Sequence, residues 1–327
     1  MGDKILDVKG LKTYFQTRKG LVKAVDGVDF SVERGEILGI VGESGCGKSV
    51  TSQSIMGLVG DQKNETVEGE ILFKGQDLLK LSSEHMRKIR GKQAAMVFQD
   101  PMTSLNPAYS VGSQIAEIPI IHEKENSRTA WEKAVKMLEK VGIPSPNERA
   151  RHYPHQFSGG MRQRGVIAMS LAGDPDLLIA DEPTTALDVT IQAQVLELLN
   201  RLRDEMNSAI VLVTHDLGVV AELCDQVAVM YAGKIVEKAS VNQLFRNPRH
   251  PYTKGLLASL PKPGSKERLK PIDGQPPNLY ELPEGCRFAE RCPMAFDKCF
   301  RQSPELFAVD AEHESACWLE EVDNGNE

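Results

Sequence analysis

The hydrophobic positions of the chain fall into short continuous runs separated by segments with a helical pattern. Three runs have the length of a buried strand: "EILGIVG" (36–42), "DLLIADE" (176–182) and "SAIVLVTHD" (208–216). The segment "SVTSQSIMGLV" (49–59), directly after the first run, is predicted to be a helix. Buried strands with helices between them predict a parallel α/β sheet that extends to about residue 240.

Strand signals disappear between residues 111 and 172. There, "RTAWEKAVKMLEKVG" (128–142) places Ala130, Ala134 and Leu138 at helical spacing. Apolar residues that recur every three or four positions are typical of an amphipathic helix. We therefore predict a helical subdomain, at about residues 103–172, inserted into the α/β domain.

The composition changes near residue 259. The segment "PKPGSKERLKPIDGQPPN" (261–278) is rich in proline and glycine and has little apolar periodicity. Such a segment is typical of a linker. We therefore predict a large α/β domain over 1–258 and a small extension over 259–327, whose last residues, "EEVDNGNE", form a frayed acidic tail.

The composition is that of a globular protein, with 327 residues, 41% hydrophobic and 26% charged. The formal net charge of −7 argues against a nucleic-acid partner, because such proteins carry a basic excess or stripe. No apolar run reaches the length of a membrane-spanning helix, and the N-terminus shows no signal peptide. We therefore expect a cytosolic chain, in which clustered cysteines favour metal binding over disulfides.

A glycine-rich loop provides the first candidate chemistry. "GESGCGKS" (42–49) fits the pattern G-x-x-x-x-G-K-[ST] and lies between a predicted strand and a predicted helix. In such a loop, backbone N–H groups point at phosphate oxygens, the lysine reaches the terminal phosphates and the Ser49 hydroxyl binds Mg²⁺. Cys46 is interpreted as a small residue of the loop and not as a catalytic thiol. The predicted nucleotide-binding residues here are Gly42, Ser44, Gly45, Cys46, Gly47, Lys48, Ser49 and Val50.

Two adjacent carboxylates follow a second buried run. In "LLIADEPTTALD", the strand delivers Asp181 and Glu182 to its C-terminal end, where open α/β sheets bind ligands. One carboxylate can hold Mg²⁺ through water while the other orients or deprotonates the attacking water. Together with the glycine-rich loop, this pair predicts a nucleotide hydrolase.

A third motif narrows the class. "QFSGGMRQR" (156–164) resembles the signature motif of ABC-type ATPases, and the remaining elements of that family occur along the chain in the same order as in the family. They are Gln99 in "MVFQDPMTSLNP", Asp188 in "TTALD" and His215 in "LVTHD". The resemblance covers about residues 5–255. It implies a P-loop NTPase fold of the ABC nucleotide-binding type with an inserted helical subdomain.

The resemblance also implies roles for individual residues. In the family, two nucleotide-binding domains pair head to tail, and the signature residues of one close on the γ-phosphate bound by the other. The resemblance implies that Ser158, Gly159 and Gly160 close on the partner's γ-phosphate, and that Asp188 contacts the opposite protomer. It implies that Glu182 is the general base, that His215 contacts the γ-phosphate and that Gln99 links Mg²⁺ and water to the subdomain. It also implies that Phe15, rather than Tyr14, stacks on adenine. Met161 replaces the usual glutamine of the motif; backbone and serine contacts survive this change.

Two more stretches resemble one branch of that family. "VFQDPMTSLNP" and "RNPRHPYTKGLLASLPKP" are similar to segments of the ATP-binding subunits of dipeptide and oligopeptide permeases, a group that includes nickel importers. This implies a bacterial or archaeal ATPase, peripheral on the cytoplasmic face of the membrane. The implied partners are a second homologous ATPase in a heterodimer, two transmembrane permease subunits and, indirectly, an extracytoplasmic binding protein. The alternatives are a nickel or other small-solute importer and a soluble ABC ATPase of DNA repair or translation.

Four of the six cysteines lie near the C-terminus, at Cys286, Cys292, Cys299 and Cys317. Four thiolates can bind tetrahedral zinc or an iron–sulfur cluster, but the tight C-x₂₋₄-C pairs usual for structural zinc are absent from this sequence. The resemblance to the permease ATPases implies a [4Fe–4S] cluster on these four residues. Zinc, free thiols and disulfides remain the alternatives. Cys224 is predicted to be a small buried residue.

Overall fold

The computed structural model describes residues 3–60, 62–185, 187–260 and 271–324, and contains both strands and helices. The strands are β1 (Lys4–Thr17), β2 (Gly20–Glu33), β3 (Ile37–Val41), β4 (Glu65–Phe73), β5 (Gln76–Asp77), β6 (Ala94–Val97), β7 (Leu177–Asp181), β8 (Ala209–Thr214), β9 (Gln226–Tyr231), β10 (Lys234–Ser240), β11 (Phe307–Asp310) and β12 (His313–Ser315). The helices are α1 (Lys48–Ile55), α2 (Ser83–Ile89), α3 (Pro101–Ser104), α4 (Val111–Glu123), α5 (Ser127–Lys140), α6 (Pro146–Arg149), α7 (Gly159–Leu171), α8 (Val189–Met206), α9 (Leu217–Leu223), α10 (Val241–Arg246), α11 (Pro251–Ala258), α12 (Asp297–Arg301) and α13 (Leu319–Asn324).

The chain forms two compact units. The first contains residues 1–6, 32–36 and 72–213, and the second contains residues 7–31, 37–71 and 214–327. Neither unit is continuous in sequence, so a boundary at residue 258 remains a prediction that the units do not reproduce.

The first unit contains a parallel ladder and a group of helices. β7 pairs with β6 on one side and with β8 on the other, both in parallel. All residues of these three strands are buried, as expected for a parallel sheet covered on both faces. Between β6 and β7 the described chain is helical or irregular, from α3 to α7, and α5 buries Ala130, Ala134 and Leu138 as the periodicity predicts.

The second unit combines parallel and antiparallel pairing. β3 pairs with β9 in parallel, whereas β10 pairs antiparallel with both β9 and β12, and β11 pairs antiparallel with β12. The prediction of a parallel sheet up to about residue 240 is therefore wrong for β10, while β11 and β12 lie beyond the range of that prediction. The reason is local: Ala232 and Gly233 have φ of 44° and 86°, and two successive residues with positive φ form the tight hairpin turn that joins antiparallel strands.

Three strands that the hydrophobic pattern did not predict, β1, β2 and β4, lie mostly in the second unit. β1 lies between β2 and β4 in a separate sheet. Its burial pattern, eBBiBeiBiBiiei from Lys4 to Thr17, alternates imperfectly, so this strand lacks the continuous apolar run that indicated β3, β7 and β8.

The C-terminal segment is joined to the sheet of the second unit. β12 extends this sheet through the pairs Glu237↔Ser315 and Lys238↔Glu314. The predicted linker at 261–278 lies partly outside the described residues, which resume at residue 271. The prediction of a frayed tail is wrong for residues 320–324, which belong to α13, while residues 325–327 lie outside the described ranges.

Candidate functional site

The glycine-rich loop connects β3 to α1 in the second unit. Gly42 and Gly47 have φ of 156° and 109°. A Cβ atom on Gly42 would lie 2.1 Å from the carbonyl oxygen of Met230, and one on Gly47 would lie 2.3 Å from that of Ala24. The close packing of the loop therefore requires glycine at both positions. Gly47 precedes α1 and has no side chain to cap it, so the helix N-terminus keeps donors for an anion.

Lys48 lies over this loop. Its side chain is buried, with 5% of the residue exposed, and Nζ donates hydrogen bonds to the carbonyl oxygens of Gly42 at 2.8 Å and Glu43 at 3.0 Å. Ser44 and Gly45 are exposed at the outer side of the loop. Burial raises the pKa of the Cys46 thiol, partly offset by the Lys48 charge, so this thiol is neutral and unsuited to nucleophilic chemistry.

Glu43 links the loop to the C-terminal segment, which the sequence did not suggest. Its carboxylate accepts two hydrogen bonds from the Arg291 guanidinium, at 2.8 and 3.0 Å, and its backbone N–H donates to Tyr252 Oη at 2.9 Å. The separation of Glu43 and Arg291, 248 positions, leaves no periodic or motif signal that could have predicted this contact.

In the first unit, Asp181 and Glu182 lie at the C-terminal end of β7. Asp181 is buried with 4% exposed, and Glu182 has a positive φ of 47°. Its carboxylate Oε2 accepts hydrogen bonds from Gln99 Nε2 at 3.1 Å and from Thr185 Oγ1 at 2.8 Å. A non-glycine residue in the left-handed region is strained, and such residues cluster at functional sites. The structure thus brings Gln99 and Glu182 together and adds Thr185, which the motif analysis did not single out.

The signature segment of the first unit begins α7. Ser158 caps this helix by accepting a hydrogen bond from the Met161 N–H at 3.3 Å, and Ser158 and Gly159 are both exposed. A Cβ atom on Gly159 would meet no atom within 4 Å, whereas one on Gly160 would lie 2.7 Å from Ile191 Cγ2. The N-terminus of α7 is therefore accessible from outside the chain, and Gly160 is required for packing against α8.

Asp188 and His215, the remaining motif residues, are exposed. Asp188 caps α8 in the first unit, where its carboxylate accepts a hydrogen bond from the Ile191 N–H at 3.0 Å. His215 follows β8 directly in the second unit. Both side chains can therefore be reached from outside the chain.

The two aromatic candidates for adenine stacking lie on β1 and differ in their contacts. The Tyr14 hydroxyl donates to the Asp26 carboxylate, which also forms an ion pair with Arg287. Burial and this hydrogen bond raise the pKa of Tyr14. Phe15 is half-buried. The choice of Phe15 for adenine stays a prediction.

The four C-terminal cysteines line one small cavity in the second unit, together with His250, Phe288, Met294 and Trp318. None of the six cysteines forms a disulfide. Burial raises the pKa of Cys286 to about 11 and that of Cys317 to about 12, and the neighbouring thiols add to both effects. Within the described ranges, no group of three or more histidine, cysteine or carboxylate side chains is placed to hold a metal ion. The cavity has a volume of about 10 Å³.

Cys224 lies outside this cluster, at the C-terminal end of α9. It is buried, and burial raises the pKa of its thiol to about 12. It therefore acts as a small apolar residue, as the sequence predicts.

Models of two protein families match the chain. The model described as "ABC transporter" matches residues 25–185, and the model described as "Oligopeptide/dipeptide transporter, C-terminal region" matches residues 236–299. The second model includes Cys286, Cys292 and Cys299.

Curated relatives match the chain over nearly its whole length. A probable peptide ABC transporter ATP-binding protein of Sinorhizobium fredii is 54% identical over 97% of this chain and 95% of the relative. The dipeptide transport ATP-binding protein DppD of Bacillus subtilis is 52% identical over 98% of this chain and 96% of the relative. Among solved structures, a dimeric ATP-binding cassette in a post-hydrolysis state, bound to ADP and Pi, matches with a TM-score of 0.65 at 26% identity, covering 72% of this chain and 98% of the cassette.

Proposed function

The chain belongs to the ABC transporter family, among the ATP-binding subunits of dipeptide and oligopeptide importers. From this membership, we propose a role for each site residue in ATP hydrolysis and the partners with which the chain assembles. It has the mixed α/β fold of ABC-type P-loop ATPases, and it is the ATP-hydrolysing motor of a peptide importer. The observation that carries the proposed chemistry is the carboxylate of Glu182, which Gln99 and Thr185 hold in place at the end of a buried strand.

Lys48 and the backbone of residues 42–49 bind the ATP phosphates in this proposal, and Glu182 accepts the proton of the attacking water. The uncapped start of α1 and the buried ammonium of Lys48 supply the positive field that a triphosphate requires. Ser49, Gln99 and Asp181 are proposed as Mg²⁺ ligands, directly or through water. Each offers an oxygen donor, the ligand type that Mg²⁺ prefers, and the bound ion neutralises phosphate charge. His215 contacts the γ-phosphate, and Phe15 stacks on adenine.

The signature residues are proposed to act on the nucleotide of a partner ATPase. Ser158 and Gly159 are exposed at the N-terminus of α7, where an anion of another molecule can be received. Asp188, also exposed, contacts the partner. Binding of ATP then closes the pair and hydrolysis releases it, which converts chemistry into motion of the attached membrane subunits.

The proposed partners are a second homologous ATPase, two transmembrane permease subunits and, indirectly, an extracytoplasmic binding protein. Among the described residues, no helix has both the length and the apolar character to cross a bilayer. We place the chain at the cytoplasmic face of a bacterial or archaeal membrane, because the relatives named above are bacterial peptide transport ATPases. The cargo is a dipeptide or oligopeptide rather than nickel or another small solute.

Affinity purification of this chain from native membranes in mild detergent tests the assembly. We expect two permease subunits and a second ATPase to co-purify, and the reconstituted complex to take up labelled peptide only with ATP and the binding protein. A homodimer without a second ATPase would contradict the proposed heterodimer. Uptake of nickel without uptake of peptide would contradict the proposed cargo. Co-purification of ribosomes or DNA without permeases would support the soluble alternative.

The four C-terminal cysteines are proposed to hold a [4Fe–4S] cluster that cross-links the C-terminal segment. The support is that four unpaired thiols line one buried cavity, and four thiolates are the ligand set of such a cluster. The cavity of about 10 Å³ is too small for a cluster, and the four thiols are not placed to hold a metal ion in this conformation, so the proposal requires the lining of the cavity to rearrange on loading. It also requires the raised thiol pKa values to fall, because metal binding releases the thiol protons.

Iron, sulfide and zinc analysis of protein purified without oxygen tests the cluster. We expect a broad brown absorbance with about four irons and four sulfides per chain. Cys317→Ser should lose most of the iron, whereas Cys224→Ser, in the same unit but outside the cavity, should retain it. One zinc per chain without colour, or four thiols that react freely in the purified protein, would overturn the proposal.

A further inference from the structure

The phosphate-binding loop carries a carboxylate whose charge is compensated by the C-terminal segment. Glu43 follows Gly42, the first glycine of the loop, and precedes Gly47 and Lys48, so it lies within the segment that binds the phosphates in the function proposed above. A carboxylate there repels a polyanionic ligand. Its counter-charge is Arg291, which directly precedes Cys292.

The guanidinium of Arg291 is held in one orientation by five hydrogen bonds. Two go to the carboxylate of Glu43, one to Tyr231 Oη at 3.2 Å, and two to the carbonyl oxygens of Asp273 and Ile272 at 2.9 and 3.3 Å. Arginine has five N–H donors, so these bonds use its full capacity. The side chain is only 6% exposed, against 27% for Glu43. A buried guanidinium with every donor used is a built structure and not a surface ion pair.

Aromatic packing fixes the same arrangement from a second side. Tyr231, Tyr252 and Phe288 pack together with ring centroids 4.6 to 5.4 Å apart, and the Arg291 guanidinium carbon lies 5.7 Å from the centre of the Tyr231 ring. Tyr252 accepts the backbone N–H of Glu43 through its hydroxyl. The loop is therefore anchored at the backbone by Tyr252 and at the side chain by Arg291.

We propose that Arg291 is a positioning residue of the nucleotide site, which neutralises Glu43 and so makes the C-terminal segment part of the ATP-binding machinery. The pair Arg291–Glu43 has no net charge. Loss of Arg291 leaves a negative charge in the loop, and loss of the Glu43 charge leaves a positive one. The charge left in the loop determines whether each variant binds ATP more weakly or more tightly, whereas loss of a purely structural contact would weaken binding in either variant.

Two ligands distinguish charge neutralisation by Arg291 from a purely structural contact: the non-hydrolysable ATP analogue with a β–γ imido bridge, and AMP. In low salt, we expect Arg291→Ala to weaken binding of the analogue roughly tenfold and binding of AMP much less, because repulsion grows with the ligand charge. Glu43→Gln should bind the analogue as tightly as the original chain or more tightly. The double variant should recover most of the affinity lost in Arg291→Ala, and the loss in that variant should shrink with added salt.

The double variant lacks the ion pair just as Arg291→Ala does. Recovery of affinity in the double variant would therefore show that the loss in Arg291→Ala comes from the uncompensated charge and not from a folding defect. Arg301→Ala is the matched control, since Arg301 lies in the same segment with its side chain 78% exposed and should leave binding unchanged. Absence of recovery in the double variant, or equal losses for the analogue and AMP, would overturn the proposal. If the original chain binds neither ligand, the proposed nucleotide function fails instead, so the two failures are distinguishable.

Discussion

Replacing Glu182 by glutamine is expected to lower kcat for ATP hydrolysis about 10²–10⁴-fold while ATP affinity stays within about twofold. Glutamine has the same shape and keeps an oxygen that can accept the hydrogen bond from Thr185 Oγ1, which is 2.8 Å long in the structure. What it loses is the ability to take a proton from water. The change thus removes a transition-state interaction and leaves ground-state binding intact.

Phosphate release at saturating ATP gives kcat, and fluorescence titration with a labelled nucleotide gives the affinity. Glu197→Gln is the matched control, because Glu197 is exposed on α8 and the same change of charge there should leave both quantities unaltered. If Glu182→Gln turns over at the original rate, another group is the base. If binding is lost together with turnover, Glu182 holds the site together and the division of roles proposed above is wrong.

The backbone around Glu182 explains why this residue can act as a fixed base. Its N–H donates to the Val213 carbonyl oxygen at 2.9 Å, and its φ of 47° turns the chain away from the strand direction directly after Asp181. This conformation of Glu182 is strained, and the packing of β7, which is buried along its whole length, offsets the strain. The strained residue, Glu182, therefore lies where the buried strand β7 ends and the loop with the proposed catalytic carboxylate begins.

Motifs predicted the parts of the site whose geometry is local. The strand, loop and helix around residues 37–55 follow from glycine positions, because only glycine fits the backbone contacts at Gly42 and Gly47. The helices between β6 and β7 follow from apolar periodicity, since α5 buries one face. In both cases the information lies within about a dozen neighbouring residues.

Contacts between distant segments could not be predicted in this way. The Glu43–Arg291 pair is an example: each residue is an ordinary charged residue in its own segment, and only the fold brings the two together. The same holds for the added strand β12, which is three residues long and pairs with β10. Its apolar pattern is too short to indicate a strand without its neighbour.

Glu237 also depends on a distant segment, and its removal is expected to lower the free energy of unfolding by about 3–5 kcal/mol. Its carboxylate is fully buried on β10 and accepts hydrogen bonds from His313 Nε2 at 2.8 Å, from the Arg249 N–H at 2.7 Å and from the His250 N–H at 2.9 Å. Burial raises the pKa of Glu237, but these hydrogen bonds, led by that of His313, more than offset it, so the pKa lies below its ordinary value.

In Glu237→Ala, the three donors lose their acceptor in a site without access to water, and each such group costs about 1–3 kcal/mol. Glu237→Gln should cost less than alanine but still destabilise, because its amide N–H₂ would face a donor where an oxygen now accepts. Urea unfolding followed by circular dichroism measures both variants, and limited proteolysis reports whether β12, which carries His313, detaches first. Glu312→Gln is the matched control, since Glu312 is exposed beside His313 and should change the free energy of unfolding by less than about 0.5 kcal/mol. If Glu237→Ala is no less stable than this control, the buried carboxylate is not what joins the C-terminal strand to the sheet, and the pairing of β10 with β12 must hold without it.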